Sequence, residues 1–311
     1  MTIPVHEIAG GVSRLAPPTT TPRRRRRRNL APYLLSAPAS AFALFFTVFT
    51  LIYTVGASFT DWDLARQDTS FVGWENYRRA LGDGLLWSAL SASGLFVVGV
   101  VSLSIAAGFL IAVLLNNKFR GRTLVRVIVV LPWVLSEIAT GVVARILLSG
   151  NGVISSTLAS VGIHFDPLAN SAGAMLMLIL VESWRSIGLV TVMALAGLQA
   201  IPPALYEAAR LDGAGAFRIV RSIIFPLSRP TLLIAAILLA IGNFNLVTII
   251  FALTGGGPLG ATQTSAFYMY KQSFEYYALG YGSTVAVVMS VVNILAIVAF
   301  VYAQRERRVK Q

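Results

Sequence analysis

The chain contains no cysteine, and its only histidines are His6 and His164. A disulfide framework, a thiolate nucleophile and a zinc ribbon are excluded, and a histidine-based metal cluster lacks ligands. Charge is scarce too: 12% of the 311 residues are charged and 56% are hydrophobic, where soluble domains run about 25% charged and about 45–50% apolar. Too little polar surface exists to cover a water-soluble fold. The charge that remains leans to one sign, with 25 Lys and Arg against 13 Asp and Glu. A nucleic-acid footprint would need a soluble face to carry it, and the apolar runs leave none. A membrane enzyme is disfavoured, since no span carries His or carboxylates paired at short spacing.

A spanning helix takes about 20 mostly apolar residues. Six stretches qualify, at residues 34–56, 86–115, 124–148, 172–198, 231–253 and 283–302. They are longer than strands and do not alternate, which argues against an outer-membrane barrel. The fold class expected is an all-α membrane protein with six transmembrane helices. Basic loops are retained in the cytoplasm, and nineteen Lys and Arg collect on one side of these spans: Arg14, Arg23 to Arg28, four between Lys118 and Arg126, four between Arg210 and Arg229, and four from Arg305 to Lys310. Arg66, Arg78, Arg79 and Lys271 fall on the other side, which places both termini in the cytoplasm. Residues 1–32 read as a disordered basic tail facing anionic lipid, 33–304 as the six-span domain and 305–311 as a second tail. The external segments are too short for a ligand-capturing domain, so any such domain belongs to another chain.

Residues 199–230 are no ordinary connection. Pro202 and Pro203 can open a helix, where a missing N–H costs little, and Leu205 through Leu211 are good helix formers. Asp212 and Gly213 read as the stop, and Ala216 to Phe225 as a second helix ended near Pro226. The small residues Ala208, Ala209, Ala214 and Ala216 leave the bend open to close approach. The residues allow a cytoplasmic docking knob or an interfacial hairpin lying on lipid.

Glu207-Ala208-Ala209, three residues, Gly213, nine residues, Ile223, one residue, then Phe225 and Pro226 resembles the signature loop of permease subunits of bacterial ABC importers, EAA-x3-G-x9-I-x-LP. Phe225 stands where that pattern has Leu. Leu198 to Pro202, Phe251 to Pro258 and Phe71 to Tyr77 are similar to stretches of the carbohydrate-uptake branch, the maltose and glycerol-phosphate type, and the likeness covers roughly residues 33–304. The extra N-terminal spans and large external insertion of the maltose subunit are missing here.

The resemblance implies the type I importer fold with a cytoplasmic coupling-helix loop at 199–230, in the bacterial inner membrane. It implies a second homologous permease, a cytoplasmic ATPase dimer and an extracytoplasmic sugar-binding protein as partners. The chain carries no G-x4-GK[ST] loop, so ATP and Mg are expected on the partner ATPase, with no cofactor and no enzyme activity here. Glu207 is expected to anchor at the ATPase surface, Ala208 and Ala209 to allow close docking, and Asp212 and Gly213 to form the bend; helix capping or packing is the alternative for each. An ion-gradient-driven secondary transporter is the alternative for the whole chain, with Glu137 or Glu182 as its titrating carboxylate.

Intramembrane polar groups are costly unless they face a cavity, which singles out few residues for the substrate pathway. Asn243, Phe244 and Asn245 offer amides around an aromatic ring, chemistry suited to a sugar, and they resemble the family's sugar-contact segment; interhelical amide bonding is the alternative. Glu182 and Arg185, three apart with Trp184 between them, form a structural ion pair or contact ligand. Glu137 and Arg145 are expected to meet other spans or the partner permease. Asn293 is a further pore candidate, with helix packing as the alternative.

Overall fold

A computed structural model of the chain describes residues 31–66, 69–117 and 119–309. Among these there is no β-sheet, only isolated bridges pairing Thr60 with Phe71 and Asp63 with Ala278. Six helical segments among the described residues are long and apolar enough to cross a membrane, the all-helical class that the composition requires. The tail expected over residues 1–32 lies outside the described residues except for Ala31 and Pro32, which open α1 (Ala31–Ser58).

The chain divides into two units, 1–49 and 50–311. The described part of the first is the beginning of α1. There Phe42 meets Phe46 with ring centroids 4.5 Å apart, and Phe45 stacks on Phe49 at 6.0 Å, the four-residue spacing that brings side chains together on one helical face.

In the second unit α1 closes at Ser58, and side chains take its last carbonyls. Asn76 Nδ2 donates to the oxygens of Ser58 and Thr60 at 3.0 and 2.9 Å, and Thr284 Oγ1 donates to Ser58 O at 3.0 Å. Helix ends leave carbonyls without intrahelical partners, and Asn76, from the Phe71 to Tyr77 stretch, meets that need. Asp83 ends α2 (Glu75–Gly82) and starts α3 (Gly84–Asn116), its carboxylate accepting from the N–H groups of Leu85 and Leu86 at 3.0 and 3.4 Å, an N-cap. The same carboxylate accepts from the hydroxyls of Tyr268 in α12 (Ser265–Tyr270) and Tyr281 in α13 (Leu279–Val309), each at 2.5 Å. The Arg79 guanidinium covers the Tyr281 ring at 4.1 Å.

The central pair is α3 against α7 (Ser171–Gln199). A Cβ on Gly108 would lie 2.7 Å from Val190 Cβ, so only glycine permits this approach, and Thr191 Oγ1 donates to Gly108 O at 3.4 Å. Small residues with interhelical hydroxyls are how helices pack where lipid removes the hydrophobic incentive. Phe96, Val100 and Leu178 seal the pair against Ile249, Ile250 and Leu253.

Two expected spans are interrupted. Residues 124–148 fold as α4 (Arg122–Val134) and α5 (Glu137–Leu148), and the membrane-length segment is displaced to Glu137–Ala159, taking in α6 (Val153–Ala159). Pro132 brings no N–H to the ladder and crowds the carbonyl four residues back, and Leu135 and Ser136 follow with ψ of 147° and 134°. The fifth span is displaced from 231–253. It starts at α9 (Ala216–Ile219), runs through a π-turn at Val220–Ile224 into α10 (Phe225–Phe244), and breaks at Asn245 before α11 (Thr248–Leu253). Pro226 therefore does not end the hairpin's second helix: it directly follows a π-turn inside a continuous helical segment, and the π-turn, not a free helix N-terminus, accommodates it. The π-turn, closed by Phe225 N–H on Val220 O, absorbs the irregularity. Helix α13 continues through residue 309, so the tail expected from 305 is helical that far.

Candidate functional site

The 199–230 segment folds as α8 (Pro203–Leu211), a bend, and the α9 helix that leads into α10. Gly213 has φ +73°, the left-handed conformation that glycine adopts without a Cβ penalty. Its N–H donates to Arg210 O at 3.1 Å, and the N–H of Ala214 reaches back to Ala209 O at 2.9 Å. These paired bonds are a Schellman motif, which explains both the glycine and the small residues around it. Ala209 faces the chain's own core with Leu198, Ile201 and Ile219, so of the two alanines Ala208 is the one on the free surface. Glu207, Asp212 and Gly213 are exposed beside it. Leu211 and Phe217 flank the bend at 88% and 77% exposure, two apolar side chains on its outer surface. Phe225 packs edge-on against Phe109, ring centroids 5.7 Å apart, with Arg229 over its other face.

The second feature lies where the two interrupted spans meet α7. Arg185 Nε donates to Glu182 Oε2 at 2.9 Å and its Nη2 to Glu182 Oε1 at 3.0 Å. Nη2 also donates to Glu137 Oε1 at 3.0 Å. Ser186 Oγ donates to Glu182 at 3.0 Å, and Thr248 Oγ1 donates to the second oxygen of Glu137. Glu137 and Thr248 open α5 and α11, so each break presents its first helical residue to the other. A Cβ on Gly141 would lie 2.6 Å from Ala252 Cβ, which shows how tightly the two helices abut. The Glu182 side chain is 1% exposed, Arg185 14% and Glu137 32%. A carboxylate this buried needs its charge matched and its oxygens bonded, and the bidentate guanidinium does both.

Glu137, Glu182, Arg185 and Ser186 line a cavity of about 170 Å³ with Trp133, Gly242 and Asn243. Asn243 is 4% exposed; its Nδ2 donates to Leu239 O at 2.9 Å, while its Oδ1 is buried without a hydrogen-bond partner. A buried acceptor without a partner is rare in a native fold, and this one belongs to a residue of the cavity wall.

The other residues singled out in the sequence are dispersed. Phe244 turns away and packs beside Leu86, Tyr268 and Val285. Asn245 is exposed at the break, donating to Ile241 O at 2.9 Å. Trp184 lines an apolar cleft with Leu135, Ala139 and Val143, away from its sequence neighbour Arg185. Asn293 lies in a groove with Val97, Ser102 and Ala240. Arg145 and Asp166 line a separate cleft with Thr254 and Pro258. The sequence does not reveal that Glu137, Thr248 and Ser186 join Glu182 and Arg185. The one available signal is that Glu137 and Arg185 are opposite charges in neighbouring apolar runs that hold few others.

Residues 104–311 match the family model described as binding-protein-dependent transport system inner membrane component. The chain is 31% identical to the trehalose/maltose transport system permease protein MalF of Thermococcus litoralis over 281 residues, 89% of this chain and 94% of that protein. It is 30% identical to the sn-glycerol-3-phosphate transport system permease protein UgpA of Agrobacterium fabrum over 283 residues, 90% and 96% of the two chains. Among solved structures, a bacterial ABC transporter involved in import of the acidic polysaccharide alginate superposes with a TM-score of 0.73 at 19% identity, covering 89% of this chain and 96% of that one. Exposed signature hairpin, six spans and family match agree: the chain belongs to the binding-protein-dependent transport system inner membrane components.

Proposed function

We propose that the chain is the permease subunit of an ATP-driven, binding-protein-dependent carbohydrate importer in a bacterial cytoplasmic membrane. It forms half of the translocation pathway beside a second, homologous permease, with both termini and the α8 hairpin in the cytoplasm. A separate ATPase dimer holds ATP and Mg, an extracytoplasmic protein delivers the sugar, and this chain neither binds a cofactor nor hydrolyses ATP. The relatives named for trehalose, maltose and glycerol phosphate support the substrate class.

One observation carries the reading: the helix that leaves the exposed hairpin is the helix that ends in the cavity. From Ala216 to Phe244 the chain runs as one 29-residue helical segment, roughly 43 Å at 1.5 Å per residue. A push on the hairpin by ATPase subunits closing on ATP is delivered at Asn243 and the break beyond it. The secondary-transporter alternative needs an intramembrane carboxylate free to exchange protons, whereas Glu137 and Glu182 are both engaged by Arg185.

The test is energy source. In cells carrying the full operon, uptake should survive collapse of the proton gradient and stop when the ATPase subunit is deleted. The reverse pattern would sink the proposal.

A further inference from the structure

The geometry points to a charge filter in this cavity: its surplus negative charge selects sugars without a fixed anion, namely neutral saccharides, polyols and amino sugars, over uronates and sugar phosphates. The inference rests on reading the cavity as part of the pathway and adds the substrate's charge class to it.

Its basis is the count and commitment of charged groups. Among the residues lining the cavity the ionisable side chains are Glu137, Glu182 and Arg185. Two carboxylates face one guanidinium, so the wall carries one unit of negative charge in surplus. An arginine in a sugar site ordinarily advertises an anionic ligand, because its planar fork fits carboxylate and phosphate. Here Nε and Nη2 already donate to carboxylates at 2.9 to 3.0 Å, and an anion that approaches the remaining Nη1 also meets the charge of Glu137 and Glu182. The buried polar atom without a partner in the same wall, Asn243 Oδ1, is an acceptor. It suits a hydroxyl or ammonium donor and repels an anionic oxygen. In a partly dry cleft a single uncompensated charge is weakly screened.

The test uses the absence of cysteine from the chain. Gly242 lines the cavity, and a Cβ added there meets nothing within 4 Å, so Gly242→Cys introduces one thiol without crowding. In membrane vesicles containing the complete transporter, this thiol is modified with 2-(trimethylammonio)ethyl methanethiosulfonate or with 2-sulfonatoethyl methanethiosulfonate. Each rate is divided by that reagent's rate with a small thiol in solution, and modification is read from the mass of this chain. The cationic reagent should be favoured by about tenfold, the size of a single-charge interaction in such a site. Adding Glu137→Gln should bring the ratio to within about twofold of unity. Equal normalised rates in the Gly242→Cys chain, or a cation preference that Glu137→Gln leaves unchanged, would overturn the filter. A thiol that neither reagent reaches, with or without ATP and binding protein, would overturn the pathway reading instead. The first comparison needs no carboxylate substitution and so decides the sign of the field by itself.

Discussion

Arg185 on α7 and Glu137 on α5 are joined at 3.0 Å although they lie 48 residues apart, and the bond ties the break in the third span to the middle of the fourth. Arg185→Leu removes the partner of two carboxylates at once, one of them fully buried. Leaving a buried charge unpaired costs about 3–5 kcal/mol. We expect a fall of many degrees in the melting temperature of the detergent-solubilised complex and little transport. Combining Arg185→Leu with Glu137→Gln and Glu182→Gln should restore most of the stability; no recovery in the triple variant would show that the guanidinium acts by packing instead.

Gly213 at φ +73° cannot be replaced by a residue whose ring fixes φ near −65°. Gly213→Pro should insert in the membrane at wild-type levels yet lose co-purification with the ATPase. Gly213→Ala, which costs about 1–2 kcal/mol for a left-handed residue, should retain part of it. Normal coupled transport by Gly213→Pro would remove the docking role from the bend.

The buried and the exposed asparagine separate at the break. Asn243→Ala removes the unpaired acceptor of the cavity wall and should cut uptake by about tenfold or more, the size of a lost hydrogen bond to a bound sugar. Asn245→Ala, at an exposed position, should change uptake by less than about threefold. Both should assemble normally with the ATPase by affinity pull-down, and an equal loss in the two variants would argue against a ligand at Asn243 Oδ1.

Asp83 predicts a pH response at the opposite end of α3. Burial pushes its carboxyl up, but the hydroxyls of Tyr268 and Tyr281 and two backbone N–H groups outweigh that and hold it below its ordinary value of 3.8. A depressed folded pKa stabilises above the unfolded pKa and is lost as pH falls through the folded one. The anchoring of α12 should therefore be intact at neutral pH and released below about pH 3.8. Tyr268, pushed up to about 12 by burial and by Asp83, carries the opposite sign: its contribution holds below about pH 10 and fades as pH rises toward 12. Hydrogen exchange of residues 264–270 against pH should show a plateau bounded on both sides, and Asp83→Asn should abolish its acid edge.

The spans and the hairpin were legible because their signals are contiguous. A twenty-residue apolar run and a spaced EAA-x3-G pattern lie within one stretch of chain, and Asp212-Gly213 marks a bend whose bonds are all local. The charge network was not, since nothing in the sequence sets the register of α5 against α7. Sequence adjacency also misled. Trp184 and Arg185 are consecutive, but consecutive helical residues point about 100° apart, so one faces an apolar cleft and the other the carboxylates. Asn243, Phe244 and Asn245 scatter for the same reason. The extent of the fifth span was hidden by Pro226, which reads as a stop and sits where a helix tolerates it.

The π-turn at Val220–Ile224 gives this last point a rotational meaning. A π-turn holds one residue more than the α-helix it interrupts, so it sets the azimuth of everything beyond it. Deleting one residue there would keep α10 apolar and long enough to span, yet turn Asn243 by about 100° relative to the hairpin. The chain would then have a docking knob and a pathway residue that are both intact and out of phase with each other.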